Sequence, residues 1–188
     1  FAGIAKYDYG GIGFKIDNHS TVALSYIRFG VDNIMNTTEL IDDQGNVDYD
    51  KISYFSAADN AVLLSYAYNF DKVPGLSLGG NAKIIYRNIG SFAHAWGFGL
   101  DLGLQYYNNK GWQAGAMLRD ATSSFNAWSY NLTDQMREVF EATGNEIPEN
   151  GLELTMPALM LGGAKTFDFG KGFNGTFALG LDCTFDGK

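Results

Sequence analysis

The feature that most constrains this chain is an alternation of large apolar residues with small or polar ones, repeated in segment after segment. Between Trp96 and Tyr106 every second residue is large and apolar, and the residues between them are Gly, Asp and Gln. A repeat of two residues places one set on each face of a β-strand, whereas a helix needs a repeat near 3.6. The alternation therefore predicts an all-β fold.

Eight segments are predicted to be strands, and the connections between them differ regularly in length. The clear strands are predicted at 61–70, 76–87, 95–107, 112–119 and 176–185, and less regular ones at 9–17, 21–31 and 157–168. Short connections at 17–20, 71–75, 108–111 and 169–174 take turns with longer ones at 32–60, 88–94 and 120–156. An antiparallel up-and-down sheet then has all its long loops at one end, as outer-membrane barrels do.

Two classes of barrel share such an alternation, because soluble barrels have the apolar face inside and membrane barrels have it outside. No apolar run approaches the ~20 residues of a membrane-spanning helix, which excludes a helical membrane protein. If the large face were inside, the surface would be mostly Gly, Ser, Ala, Asn and Gln, whereas soluble surfaces are ~25–35% charged. The aromatic residues also lie near strand ends, as in the girdles of transmembrane barrels. We therefore expect an antiparallel up-and-down transmembrane β-barrel, with a soluble ligand-binding barrel as the alternative.

The net charge of -8 is concentrated in the two longest connections. Residues 32–60 contain seven acids and one Lys, and residues 120–156 contain seven acids and one Arg. Acidic projecting segments repel phosphate backbones, so we expect no nucleic-acid partner. The single Cys183 with only two His residues predicts no metal site and no cofactor. No nucleophile motif surrounds Ser91 and His94, so we expect no catalytic residue and no enzymatic activity.

Four charged residues of the small face are candidates for a cluster in the barrel lumen: Lys83, Arg87, Asp101 and Arg119. A register that keeps the faces matched places Lys83 directly opposite Asp101, and the next pairing places Arg119 on the other side of Asp101. Such a trio either satisfies buried charge inside a narrow barrel or tunes the selectivity of a lumen.

The long loops at 32–60 and 120–156 are predicted to be extracellular and to supply partner contacts. In the first loop the contact candidates are Asp42 and Asp43, whose surroundings lack the spacing of a calcium loop. In the second, residues 131–144 predict a short amphipathic helix, which either packs on its own loop or contacts a partner. Its apolar face would contain Leu132, Met136, Val139 and Phe140.

Five patterned stretches follow one another between about residues 20 and 130: LSYIRFGVDNIMNTTE, FSAADNAVLLSYAYNF, LSLGGNAKIIYRNIG, WGFGLDLGLQYY and WQAGAMLRDATSSF. Their order resembles that of the PorV/PorQ family of outer-membrane proteins, itself similar to FadL-type barrels, and the likeness continues more loosely to residue 185. The resemblance implies a barrel of about fourteen strands in the bacterial outer membrane. Residues 1–188 would then be a single β-barrel domain and part of a longer chain, because they supply only eight strands and begin at Phe1 without a leader.

For PorV-like members the resemblance implies a role in type IX secretion. Such members associate with a large translocon barrel and engage the C-terminal signal domains of exported proteins. The FadL-like relatives imply the alternative, an outer-membrane transporter that passes hydrophobic compounds to a lateral opening. In both cases outer-membrane lipid surrounds the protein, and no catalytic residues are carried over, because the family has none to match.

Overall fold

A computed structural model describes residues 5–37, 40, 46–142, 144, 146–170 and 172–185 of the 188-residue chain. It is an all-β antiparallel sheet that curls into half of a barrel, so the fold class predicted from the alternation is confirmed at this level. The strands are β1 (Ala5–Lys15), β2 (Ser20–Asn36), β3 (Ser53–Asn69), β4 (Leu76–Ile89), β5 (Ala93–Tyr107), β6 (Trp112–Arg119), β7 (Ser124–Tyr130), β8 (Gly151–Thr155), β9 (Ala158–Asp168) and β10 (Asn174–Thr184). A 3₁₀ helix, Tyr49–Lys51, and an α-helix, α1 (Asp134–Ala142), lie in two of the connections.

The strands follow one another around the curl in chain order. Each of β1 to β5 pairs with its successor, and β9 and β10 complete the path after β6. Both β6 and β7 pair with β5, and they lie end to end along it. In the next position β9 pairs with β6 and β8 pairs with β7, again end to end. The sheet therefore has eight strand positions, two of which are filled by two shorter strands in line.

The connections sort by length to the two ends of the sheet, because every neighbouring pair of strands is antiparallel. The short-turn end contains the connections from β1 to β2, from β3 to β4, from β5 to β6 and from β9 to β10. The long-loop end contains the connections from β2 to β3, from β4 to β5 and from β7 to β8. At the short-turn end Gly75 adopts a φ of 87°, and a Cβ there would collide with the Tyr107 carbonyl, so this turn requires glycine.

Strands occupy more of the long-loop end than the sequence predicts. The predicted loop 32–60 is too long, because β2 continues to Asn36 and β3 begins at Ser53. A bulge between Val31 and Ile34, with Asn33 at a φ of 58°, shifts the alternation there and hides the end of the strand. The predicted loop 120–156 is also wrong in its bounds, since β7 and β8 lie inside it.

Candidate functional site

The convex face of the curled sheet consists mostly of large apolar side chains that are exposed. Near the long-loop end of β1 and β2 it also carries the ion pair of Asp8 and Arg28. Cross-strand pairing joins them into rows, one of which crosses six strands as Tyr26, Val62, Ile84, Phe98, Phe125 and Leu154. Exposure is high along this face, reaching 60% for Leu64 and 68% for Leu179. The face that would form a core in a soluble protein is therefore open to the surroundings.

Aromatic side chains border this apolar face at both ends. Near the long-loop end the rings of Tyr86 and Trp96 lie 4.8 Å apart between centroids. Near the short-turn end the Lys165 Nζ lies 5.0 Å from the ring centroid of Trp112 and 5.8 Å from that of Phe167. The aliphatic part of Lys165 thus runs along aromatic surface, and its charged end lies at the edge of the apolar region.

The concave face is built from the small and polar residues, and its long-loop half is filled by side chains. Ala95 on β5 is completely buried, because Arg87 from β4 and Trp128 from β7 close over it with 5.1 Å between the guanidinium carbon and the ring centroid. On the same strand Gly97 and Gly99 leave room for Asn126 and Ser124, and a Cβ at either glycine would collide with those side chains.

A buried charge cluster, which we call the Lys83 cluster, consists of Lys83, Asp101, Asp120 and Ser124. The Lys83 Nζ lies 2.9 Å from Asp101 Oδ1 and 2.5 Å from Asp120 Oδ1, and both carboxylates are about 95% buried. The Asp120 N–H donates to Asp101 Oδ1 at 2.9 Å, and the Ser124 hydroxyl donates to Asp120. These contacts hold residues 120–123, where β6 ends and β7 begins, against β4 and β5.

A second group, the Arg87 cluster, consists of Arg87, Asp59, Glu153 and Trp128. The Arg87 Nε donates to Asp59 Oδ1 at 2.8 Å, and its Nη1 donates to Glu153 Oε2 at 3.0 Å. The Trp128 Nε1 donates to the same Glu153 oxygen at 2.7 Å. One arginine thereby connects strands β3, β4 and β8 across the inward side of β5.

The short-turn half of the concave face is open. Glycines occupy neighbouring inward positions of five strands: Gly79, Gly103, Gly115, Gly162 and Gly180. A cavity of about 780 Å³ lies above them, and its lining also includes Gln105, Gln113, Met117 and Met160. A Cβ at Gly103 would come no closer than 3.9 Å to a neighbouring strand, so this glycine widens the cavity and admits no neighbouring side chain.

The predicted cluster residues divide between these two groups. Lys83 does contact Asp101, but diagonally, because Lys83 is paired with Gly99 and Asp101 with Asn81. The predicted register of β4 and β5 is therefore wrong by one step of two residues. Arg119 was expected beside Asp101, whereas its ion-pair partner is Asp120 at 3.6 Å, and its side chain is half exposed. Arg87 belongs to the other cluster.

The residues predicted to contact a partner through the long loops differ in how exposed they are. Met136 on α1 is 8% exposed, and its N–H donates to the Thr133 hydroxyl at 3.3 Å, so Thr133 caps the helix. Phe140 is half-buried, Val139 is exposed, and Leu132 precedes the helix. Asp42 and Asp43 lie outside the described residues. Partner contact through these residues stays a prediction.

Sequence reasoning missed Asp120, Ser124, Asn126, Asp59 and Glu153, all of which contribute to the filled half. All five fall in the segments that were predicted to be loops. Within the described residues, no three His, Cys, Asp or Glu side chains form a group that could hold a metal ion.

Comparisons with family models, with curated proteins and with solved structures find no match to this chain. In the described part of the chain, no helix has both the length and the apolar character needed to cross a membrane.

Proposed function

We propose that this protein is a non-enzymatic transmembrane β-barrel of the bacterial outer membrane, of the PorV/PorQ type, that takes part in type IX secretion. One observation carries the membrane assignment: on the short-turn side of Tyr86 and Trp96, the convex face is an exposed layer made mostly of large apolar side chains. On a soluble monomer the largest apolar patch is typically ~300–600 Å² and often marks a binding site. A bilayer makes the same surface favourable, since hydrocarbon surrounds it in place of water.

The borders of the apolar face support this assignment. Aromatic rings prefer the two membrane interfaces, and lysines extend their charged ends toward water. The Tyr86 and Trp96 pair at one end, and the Trp112, Phe167 and Lys165 group at the other, have the composition of such interfaces. We place the long loops on the extracellular side, because barrels of this class have short periplasmic turns.

A bilayer also requires that the half-barrel be closed. Among the described residues β1 pairs only with β2, and β10 pairs only with β9. An unpaired backbone group in hydrocarbon costs several kcal/mol, so open edges do not persist there. We therefore expect further strands to join β1 and β10, to a total of about fourteen by the resemblance to the family.

The secretion role rests on the order of the five patterned stretches, and the site assigned to it is the long-loop end. We expect this end to contact a large translocon barrel and the C-terminal signal domains of exported proteins. No chemistry is assigned to the concave clusters, because their charged groups are paired with one another.

The test is to tag the full-length protein, extract it from outer membranes with mild detergent and identify by mass spectrometry the proteins that accompany it. We expect a very large barrel or exported surface proteins in the eluate. Recovery of the protein from the soluble fraction would overturn the membrane assignment, and a solitary barrel in the outer membrane would overturn the secretion role alone.

The cavity in the short-turn half supports a second candidate, an outer-membrane transporter of hydrophobic compounds. Its volume of about 780 Å³ lies within the range of ligand pockets. This candidate predicts that the purified barrel retains a lipid-like molecule, which native mass spectrometry would detect, and that no translocon barrel accompanies it.

A further inference from the structure

The convex face carries few charged side chains, and those near its long-loop end neutralise one another. The Lys6 Nζ lies 2.8 Å from Asp32 Oδ2. Arg28 Nη1 lies 3.4 Å from Asp8 Oδ2. Lys165, on the same face at the short-turn end, differs from these residues, because within the described residues it forms no ion pair with a carboxylate. Its positive charge is therefore not neutralised by the part of the protein that the structure describes.

Aromatic side chains surround Lys165 on the convex face. Trp112 on β6 and Phe177 on β10 are its direct cross-strand partners, and Phe167 is the next residue of this face along β9. The Nζ is close enough to the rings of Trp112 and Phe167 for cation–π attraction, and it donates to the Lys110 carbonyl. Both cross-strand partners are more than half exposed. The ammonium is therefore held in place at a part of the surface that a further molecule can reach.

The Lys165 ammonium has hydrogen-bonding capacity for another partner. An ammonium group has three N–H donors, and in the described part of the chain the Lys110 carbonyl is the one acceptor that it reaches. The acidic residues of β9 and β10, Asp168 and Asp182, lie on the concave face, on the other side of the sheet. A positive charge with free donors at the edge of an apolar face attracts an anionic group that is attached to an apolar body.

We propose that Lys165 and the aromatic rings beside it form a binding site for an anionic phospholipid in the membrane leaflet at the short-turn end. The lipid phosphate accepts hydrogen bonds from the Lys165 ammonium, and the acyl chains lie along the exposed Leu161 and Leu179, farther into the apolar face. A zwitterionic headgroup fits less well, because its own ammonium offsets the charge of its phosphate. The inference rests on the proposed function, which places the convex face in lipid.

The test uses the fluorescence of Trp112 to measure which lipid lies beside Lys165. The full-length protein with Trp96→Phe/Trp128→Phe is placed in phosphatidylcholine vesicles that contain a small fixed fraction of phosphatidylglycerol with brominated acyl chains. In matched vesicles the same fraction of brominated lipid is phosphatidylcholine. We expect phosphatidylglycerol to quench Trp112 more strongly, with a ~5-fold preference, the size expected for one lysine at an anionic membrane surface. With Trp112→Phe/Trp128→Phe, the remaining Trp96 should show no such preference.

Lysine variants separate this site from a general attraction of anionic lipid to the short-turn end. Lys165→Gln removes the charge, so almost no preference for phosphatidylglycerol should remain at Trp112. Lys165→Arg keeps a cation that contacts aromatic rings, so the preference should persist. Lys72→Gln removes the same charge from another turn at this end, and it should lower the preference less than ~2-fold, since an exposed charge farther from the site is screened.

Equal quenching of Trp112 by the two brominated lipids, or an undiminished preference in Lys165→Gln, would overturn the lipid site. Equal losses in Lys165→Gln and Lys72→Gln would overturn it as well. Every variant is first checked for heat-modifiable migration as a folded membrane barrel. In vesicles made wholly of brominated phosphatidylcholine, absence of quenching of both Trp96 and Trp112 would overturn the proposed function. Quenching there, without a preference for phosphatidylglycerol at Trp112, overturns this inference alone.

Discussion

The two halves of the concave face use small residues of the same strands for opposite purposes. In the long-loop half, Ala95, Gly97 and Gly99 of β5 are covered by side chains of β4 and β7. In the short-turn half, Gly103 of the same strand and the glycines beside it leave a cavity uncovered. A small residue in a barrel wall therefore either admits a neighbour's side chain or keeps the interior open, and the neighbouring strand decides which.

Among substitutions that test this difference between the halves, Lys83→Met is expected to cause the largest loss of stability. The substitution leaves the buried carboxylates of Asp101 and Asp120 without their cation, and loss of one partner of a buried ion pair costs about 3–5 kcal/mol. Urea unfolding of the protein in vesicles measures the loss. Lys110→Met, in an exposed turn of the open half, should change the free energy of unfolding by less than about 0.5 kcal/mol. Similar losses in the two variants would show that the Lys83 cluster does not stabilise the filled half.

Glycine substitutions test the contrast on one strand. A Cβ at Gly99 would collide with Ser124 and Lys83, so Gly99→Ala should destabilise the protein by about 1–3 kcal/mol. Gly103→Ala places its Cβ in ordinary contact with the Ala116 carbonyl oxygen at 3.9 Å, and alanine also restricts the unfolded chain, so no loss is expected. The two unfolding curves compare the halves directly. If Gly103→Ala were the more damaging change, the assignment of filled and open halves would be wrong.

A smaller effect is expected where β8 is tied to β4. Glu153→Gln removes the charge that pairs with Arg87, and because both side chains are partly exposed the loss should be about 1 kcal/mol or less. Amide hydrogen exchange in β7 and β8 should accelerate, while exchange in β9 and β10 stays unchanged. Glu149→Gln is the matched control in the neighbouring connection, and an equal acceleration there would argue against a specific tie.

The smallest effect on stability is expected in the turn between β1 and β2, at the short-turn end. The Asp17 carboxylate accepts hydrogen bonds from the N–H groups of His19 and Ser20, both at 2.7 Å, and these bonds lower the pKa of Asp17 below its ordinary value. A carboxyl group with a lowered pKa stabilises the folded state above its unfolded pKa of about 3.9, and this contribution is lost as the pH falls through the lower folded value.

In Asp17→Asn the acceptor remains but the charge does not, so we expect the stability to fall less steeply with acidification below about pH 4. Unfolding midpoints of the two proteins across that range measure the difference. Parallel pH profiles would contradict the contribution of Asp17.

The sequence predicts the regular part of this fold well, because the alternation reports directly which side chains share a face. The 112–119 segment is a strand with the predicted bounds, and its pairing with β5 has the expected register. Between β4 and β5 the register differs by two residues, because Ile89 pairs with Ala93 and the turn is centred on Ser91, whereas the predicted pairing of Lys83 with Asp101 needs a turn centred on Phe92. A shift of two residues preserves the faces, so Lys83 and Asp101 still lie near each other.

The filled half could not be predicted in the same way. Asp120 and Ser123 adopt positive φ values of 53° and 57°, and residues 120–123 interrupt the alternation before it resumes at Phe125. The sequence therefore does not show which residues of β7 face inward. For this reason the inward positions of Ser124, Asn126 and Trp128 could not be predicted. The open half depends only on uninterrupted strands, which is why its glycines are visible in the sequence as one face.

The central claim is that the large apolar face meets lipid, and the three tryptophans of the chain test it most directly. Trp96 and Trp112 lie on the convex face, and Trp128 lies on the concave face against Arg87. Variants of the full-length protein that retain one Trp each would be placed in vesicles whose acyl chains carry bromine, which quenches nearby tryptophan fluorescence. We expect strong quenching of Trp96 and Trp112 and little of Trp128. Quenching of Trp128, with Trp96 and Trp112 unquenched, would contradict the account.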